Sequence, residues 1–241
     1  MKVSVVIPAF NEEKLLGPCI DSVRAAFAGQ PGPVEYELIV CDNNSTDGTS
    51  AAAALKGVRT VFEPLNQISL ARNTGGAAAA GDWLLFVDAD SLLSTATLRE
   101  TLALMRGGVC CGGGSVIAFA PPPPFWGRAL TALWNLVSRT FGLAAGSFLF
   151  CRADAFRAVG GFSPALYAAE EIALSRALKR WGKARGLVFK ISTAQPHLSS
   201  GRKFRSYGLG ELLLQVFGFL RSPRRSLKDP GRLRVFYDGR R

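Results

Sequence analysis

Short apolar runs alternate with helix-like stretches from Val3 to Met105, and that alternation restricts the fold of this chain more than any other feature. The pattern predicts strands over Val3–Pro8, Tyr36–Asp42, Val58–Glu63 and Trp83–Asp88. It predicts helices over Glu12–Phe27, Thr49–Lys56, Ile68–Ala80 and Thr95–Met105. Repeated strand–helix–strand units require right-handed crossovers and build an α/β fold, a single open, mostly parallel sheet flanked by helices. A chain of 241 residues can bury a substantial core as one such domain. The second half is less regular. Val109–Phe119 reads as a long strand whose run Gly112-Gly113-Gly114 predicts a bulge or a close backbone approach. Pro121–Pro124 is a stiff linker, Phe125–Phe141 an amphipathic helix, Ser147–Cys151 a strand and Ala168–Trp181 a helix. Leu187–Ser192 closes the sheet, and a further helix is expected over Lys203–Leu220. The boundaries that follow are one domain over 1–220, in halves 1–106 and 107–220, and a basic tail over 221–241.

In open α/β sheets ligands gather at the carboxyl ends of the strands. The apolar strand from Trp83 ends there in Asp88-Ala89-Asp90. Two carboxylates separated by one small residue suit a hard divalent cation held beside phosphate oxygens. The alternative is that one of them caps the helix beginning near Ser94. After the first strand, Pro8-Ala9-Phe10-Asn11-Glu12 contains small residues that let backbone amides approach a ligand. After the second, Asp42 and Asn43 carry groups that can hydrogen-bond a base edge, while Asp47 is placed to cap the next helix. That loop has neither the Gly-x-Gly-x-x-Gly dinucleotide fingerprint nor the lysine of a phosphate loop. Arg72, alone in an Ala- and Gly-rich helix, either reaches solvent or presents a planar cation to a base or diphosphate.

The formal charge is +11, and basic residues far outnumber acids from Lys179 onward. Such a bias favours phosphate-bearing partners: a nucleotide, a lipid headgroup or an anionic membrane surface. No nucleic-acid-binding motif accompanies it, so no nucleic-acid partner is expected. The five cysteines form no Cys-x-x-Cys pair, which argues against a disulfide framework or a zinc site and for a reducing, cytoplasmic setting. No signal peptide opens the chain, and no apolar window is long enough to span a bilayer, since Arg128 and Arg139 interrupt the longest. Phe125–Phe141 and Leu209–Leu220 are apolar with arginines at their margins, so they are expected either to lie at the inner face of a membrane or to pack on the core or in a homodimer interface.

Val5-Val-Ile-Pro-Ala-Phe-Asn-Glu-Glu13, Asp42-Asn-Asn-Ser-Thr-Asp-Gly-Thr49, Ala71-Arg-Asn73 and Asp88-Ala-Asp90 occur in the order and spacing of family 2 glycosyltransferases of the GT-A fold, which this chain resembles over roughly residues 3 to 210. The resemblance implies a nucleotide-diphospho-sugar donor, most often UDP-linked, with Mg²⁺ or Mn²⁺ on the diphosphate. It makes 1–106 the nucleotide-sugar half and 107–220 the acceptor half. Pro8, Ala9 and Glu12 then lie on the donor side, Asp42 and Asn43 face the base, Arg72 supports it, Asp88 reaches the ribose and Asp90 binds the metal, with Asp88 beside it. Ala145-Gly146-Ser147 and the segment that follows resemble the family's acceptor side, ahead of Ala169-Glu170-Glu171. The family's catalytic base sits at the second acid, Glu171 here, where many members carry Asp; Glu170 is its neighbour. Ala173 stands where many members have another acid.

An inverting transfer needs such a carboxylate to take the proton of the attacking acceptor hydroxyl. Two acids at a helix start can also simply favour the helix dipole. His197, the only histidine, is either structural or the residue that completes the metal shell, as a late histidine does in some GT-A enzymes. Arg202, Lys203 and Arg205 either clamp a phosphate or form a solvated basic face. The processive-synthase motif Gln-x-x-Arg-Trp is absent, which favours single transfer to a sugar, lipid or small-molecule acceptor. Two other readings stand beside this one. A sugar-1-phosphate nucleotidyltransferase would need a Gly-rich loop with a basic end after the first strand, and Pro8–Glu13 is not that. A membrane-surface or regulatory binding module keeping the fold would be marked by loss of Asp90 or of both Glu170 and Glu171, and all three are present.

Overall fold

The computed structural model describes residues 1–202. The helix expected over Lys203–Leu220, the tail from 221, and the expectations for Lys203 and Arg205 lie outside the described residues. Seven strands form one sheet: β1 (Lys2–Ala9), β2 (Glu35–Asp42), β3 (Arg59–Phe62), β4 (Trp83–Val87), β5 (Cys110–Ala120), β6 (Phe148–Arg152) and β7 (Val188–Ser200). The helices are α1 (Glu13–Ala28), α2 (Thr49–Leu55), α3 (Ile68–Ala78), α4 (Thr95–Arg106), α5 (Phe125–Phe141), α6 (Ala153–Ala158) and α7 (Glu170–Lys183). The strand order is β3-β2-β1-β4-β6-β5-β7. β1 pairs in parallel with β2 and β4, β2 with β3, and β5 with β7, while β6 runs antiparallel between β4 and β5. The expected open, mostly parallel sheet is therefore what forms.

The strands are apolar on both faces because helices cover both. Side chains alternate across a strand, so Trp83, Leu85 and Val87 of β4 join Leu16, Ile20 and Leu98 on one side. Leu84 and Phe86 join Phe156, Phe162 and Leu174 on the other. Glycine lets α3 close onto the sheet: a Cβ on Gly75 would lie 2.4 Å from Val6 Cγ1. The same close approach occurs in β5, where a Cβ on Gly113 would lie 2.0 Å from the Lys190 carbonyl oxygen. Register shifts flank the glycine run, between Cys110 and Gly112 and between Ser115 and Ile117.

Two elements differ from expectation. The short helix α6 was not foreseen, because six residues cannot display a helical period. β7 runs on to Ser200 instead of stopping at Ser192. Pro196 marks an apparent end, but β7 is an edge strand, where a residue without an N–H is tolerated. Ser192 lies opposite Ser115 and His197 opposite Ile117, so the chain bulges between them and then rejoins the ladder. The next residue, Leu198, accepts a hydrogen bond from Leu92 N at 2.9 Å, which ties the end of β7 to the loop after β4.

Candidate active site

At the carboxyl ends of the strands the loops that follow β1 and β2 bond to each other, and the end of β4 meets the start of α7 through Arg72. Asn11 and Asn44 adopt positive φ, 52° and 62°, a conformation that asparagine tolerates. Asn11 N donates to Ser45 Oγ at 3.0 Å, and Thr46 N donates to Asn11 Oδ1 at 2.8 Å, binding the first loop to the second. Asp47 Oδ1 accepts from Thr49 N at 3.0 Å and Oδ2 from Glu13 N at 3.2 Å, so it serves the starts of both α2 and α1. Ser94 caps α4, accepting from Thr97 N at 3.0 Å. That frees Asp88 and Asp90 from the capping role the sequence left open.

Arg72 is the hub of the site and is only 2 % exposed. Its Nη1 donates to Glu170 Oε1 at 2.6 Å, and its Nη2 donates to Asp88 Oδ1 at 2.8 Å and to the Gly146 carbonyl at 2.9 Å. Its guanidinium lies 5.2 Å from the centre of the Phe162 ring. Burial opposes the charge on Arg72, but Asp88, Glu170 and Glu171 outweigh it and hold the group protonated. Its neighbour Asn73 fixes the cover, exchanging 2.8 Å hydrogen bonds with the backbone of Phe162. Gln67, just before α3, donates to the carbonyls of Pro164 and Leu166 at 2.8 and 3.1 Å and so anchors the segment leading to α7.

Ala169 opens α7 with φ 58°, a left-handed conformation uncommon for alanine. The turn sends Glu170 inward to Arg72 and leaves Glu171 only partly covered. A Cβ on Gly146 would stand 3.2 Å from Arg72 Nη2 and 3.7 Å from Glu171 Cδ, so a glycine keeps this corner open. Burial, and then the charge of Glu170, push the Glu171 carboxyl up to about 8 against the pull of Arg72. Such a carboxyl is a strong base once ionised, and its proton-accepting form grows as the pH rises toward 8.

A second ionic cluster lies at the sheet edge. Arg202 Nη2 donates to Glu12 Oε1 at 2.9 Å and Oε2 at 3.1 Å, and to Asp90 Oδ2 at 3.4 Å. His197 is fully buried, its ring 4.7 Å from that of Phe148. Burial holds it down at about 3, so it is neutral at physiological pH. Neither ring nitrogen completes a hydrogen bond among the described residues.

The structure corrects several expectations. Arg72 does not reach solvent: it is buried, with Nη1 bonded to Glu170 at the start of α7 and Nη2 to Asp88 at the end of β4. Asp42 and Asn43 are 5 % and 3 % exposed and build their own loop. Asp42 accepts from Ser45 N at 3.0 Å and from Ser50 Oγ. Asn43 Nδ2 donates to the carbonyls of Glu63 and Leu65. Pro8 and Ala9 are buried at the end of β1, opposite Cys41 and Asp42, and act through the backbone. Glu12 is held by Arg202, and Asp88 by Arg72. Glu170 is 4 % exposed and paired with Arg72, which leaves Glu171 as the more accessible acid. His197 lies inside β7, not after it. The roles of Gly146, Phe162 and Ala169 were missed; the signal for a buried hub was the lone arginine among small residues in α3.

The profile of the glycosyl transferase family 2 matches residues 4–157, well over half of the chain, from β1 into α6. This chain belongs to glycosyl transferase family 2. Among relatives of this family 2 protein, the poly(ribitol-phosphate) beta-glucosyltransferase of Bacillus spizizenii is 34 % identical over 108 residues, 41 % of this chain and 16 % of that one. The dodecaprenyl-phosphate galacturonate synthase of Rhizobium johnstonii is 39 % identical over 79 residues, 33 % of this chain and 22 % of that one. The chain thus spans less than half the length of the curated relatives it matches. The crystal structure of glucosyl-3-phosphoglycerate synthase from Mycobacterium tuberculosis, in complex with Mn²⁺, UDP and phosphoglyceric acid, superimposes with a TM-score of 0.63 at 22 % identity. It aligns with 95 % of this chain and 80 % of that one, which establishes the GT-A fold.

The chemistry of the donor set fits a divalent cation. Among the described residues no three His, Cys, Asp or Glu side chains converge as a ready-made metal cage. A cation bound through one or two protein groups and substrate phosphates needs no such cage. Asp90 offers a hard oxygen, and the neutral imidazole of His197 has one ring nitrogen whose lone pair suits a metal.

Proposed function

We propose that this family 2 protein transfers a sugar from a UDP-linked donor to a hydroxyl of a phosphate-bearing acceptor, one residue at a time and with inversion. The observation that carries the reading is the placement of Glu171 at the start of α7, more accessible than Glu170 and beside the Arg72 hub that pairs with Asp88 and Glu170. In the reaction the acceptor oxygen attacks the anomeric carbon from the face opposite the diphosphate, a new C–O bond forms, and the bond to the diphosphate breaks. The acceptor proton passes to Glu171. Arg72 holds Asp88 and Glu170 in place without touching substrate, and its charge favours the ionised form of Glu171 that can accept the proton. Asp90 and His197 would hold Mg²⁺ or Mn²⁺. A cation there offsets the charge that builds on the departing diphosphate. Arg202, released from Glu12 and Asp90, supplies a planar cation for the same phosphates.

The phosphate on the acceptor is supported by a common thread among relatives. Their names carry poly(ribitol-phosphate), dodecaprenyl-phosphate and 3-phosphoglycerate. The net charge of +11 on this chain is of the matching sign. Release of the nucleoside diphosphate tests the proposal with UDP-glucose, UDP-galactose (UDP released) and GDP-mannose (GDP released), each offered with 3-phosphoglycerate, ribitol phosphate or a prenyl phosphate, with Mn²⁺ or with a chelator. Metal-dependent UDP release that requires a phosphorylated acceptor is expected. Turnover only with GDP-mannose would reassign the base, and turnover undiminished by chelator would remove the metal from the reading.

A further inference from the structure

We propose that the outward face of α5 is a binding surface for an anionic lipid bilayer. The helix is built inside out. The residues it turns to the protein are small or polar: Gly127 and Ser138 are buried, and Asn135 exchanges 2.9 Å hydrogen bonds with both the N–H and the carbonyl of Ile117. Ser138 Oγ donates to the Leu143 carbonyl at 2.6 Å. Trp126, Trp134 and Val137 are half-buried, and the remaining large apolar side chains point outward. Phe125 is 84 % exposed, Leu130 50 %, Leu133 57 %, Leu136 53 % and Phe141 59 %. A helix that served only the core would show the reverse arrangement.

Charge identifies the partner. Arg128 and Arg139 are both exposed and fall on one line of the helix, at one margin of the apolar face. From Thr101 to Ala153 the sequence contains no Asp or Glu. A second copy of the chain docked α5 to α5 would press these arginines together with no acid of that stretch to pair them. Anionic headgroups supply that missing charge, and the acyl boundary accepts the leucines and phenylalanines. No helix among the described residues is long and apolar enough to cross a membrane, so α5 would lie in the plane of the surface. Its carboxyl end passes through Gly142, in left-handed conformation, to Gly146 and Ser147 of the site. The Gly146 carbonyl accepts from Arg72, and the Ser147 carbonyl accepts from Asp88 N at 3.3 Å. A bilayer seated on α5 would therefore adjoin the Gly146 side of the site. The inference uses none of the catalytic carboxylates and stands apart from the proposed reaction.

Sedimentation of the full chain with phosphatidylcholine vesicles, with and without phosphatidylglycerol and at low and high salt, tests it. Binding to the anionic vesicles is expected, weakening as salt screens the headgroups. The double variant Leu133→Glu/Leu136→Glu changes two exposed side chains and should lower partitioning by at least about tenfold. Arg128→Ala/Arg139→Ala should lower it by about fivefold per arginine at low salt. Unchanged calorimetric UDP binding shows that each variant is folded. No vesicle binding by the parent protein would overturn the proposal. So would binding that neither variant weakens, since the segment beyond Arg202 would then carry it. A dimer in analytical ultracentrifugation that Leu133→Glu/Leu136→Glu dissolves, with no vesicle binding, would assign the face to a second copy instead.

Discussion

Arg202 spans the space between Glu12 and Asp90, where two carboxylates from distant parts of the chain share one guanidinium. A divalent cation at Asp90 would compete with this guanidinium for the carboxylate. Arg202→Ala should therefore raise the affinity for Mn²⁺ alone by several-fold in calorimetry, since it removes a cation bonded to Asp90. In the presence of UDP the order should reverse, because the variant lacks a cation for the diphosphate. Equal Mn²⁺ affinity in the two proteins without nucleotide would show that the pairing does not guard Asp90. The sequence offered Asp90 for a metal and Arg202 for a phosphate or a solvated face, and held no sign that they bond to each other. Their contact spans 112 positions and depends on β7 continuing past Pro196.

At the scale of elements, α7 shows how a strained residue aims the acids that follow it. Ala169 holds φ 58° as the helix opens, at a cost on the order of 1 kcal/mol relative to glycine. Ala169→Gly should raise the melting temperature by a few degrees, with little change in UDP affinity. A lower melting temperature would mean that the alanine methyl packs better than its backbone geometry suggests. β5 carries the opposite case. Gly113→Ala would drive a methyl into the Lys190 carbonyl and should cost about 3 kcal/mol, seen as a shifted denaturant midpoint. The glycine run was readable from sequence, because three consecutive glycines inside an apolar strand have few other uses. Ala169 was not readable: nothing local distinguishes an alanine in left-handed conformation from the alanine before it. The β1, β2 and β4 boundaries were legible to within a residue or two, since apolar runs ending in Asp or Asn mark buried parallel strands.

For the whole molecule, donor binding and folding are linked. UDP with Mn²⁺ at about 100 times its dissociation constant should stabilise the protein by about 2.7 kcal/mol. Asp90→Ala should abolish that thermal shift while leaving the ligand-free melting temperature close to that of the parent. A full shift in the variant would place the metal elsewhere. The sheet order, the single antiparallel strand β6 and the ion pairs of Arg72 with Asp88 and Glu170 emerge only when distant segments meet. The sequence therefore showed which residue types line the site but not how they divide the work. The hydrogen bonds that Arg72 and Asn43 make within the protein could not be read from sequence, nor could the burial of Glu170 that leaves Glu171 the more accessible acid of the two.

Single-turnover transfer by Glu171→Gln, measured against pH beside the parent protein, tests the central claim most directly. A base must be deprotonated to act, so the parent rate should rise with pH through about 8, or through a lower value if bound cation and diphosphate stabilise the carboxylate. Glu171→Gln should bind UDP as well as the parent does, transfer sugar about 10²–10⁴-fold more slowly and lose that rise. Transfer by Glu171→Gln within a few-fold of the parent, with Glu170→Gln inactive but folded, would contradict the account and move the base to the buried partner of Arg72.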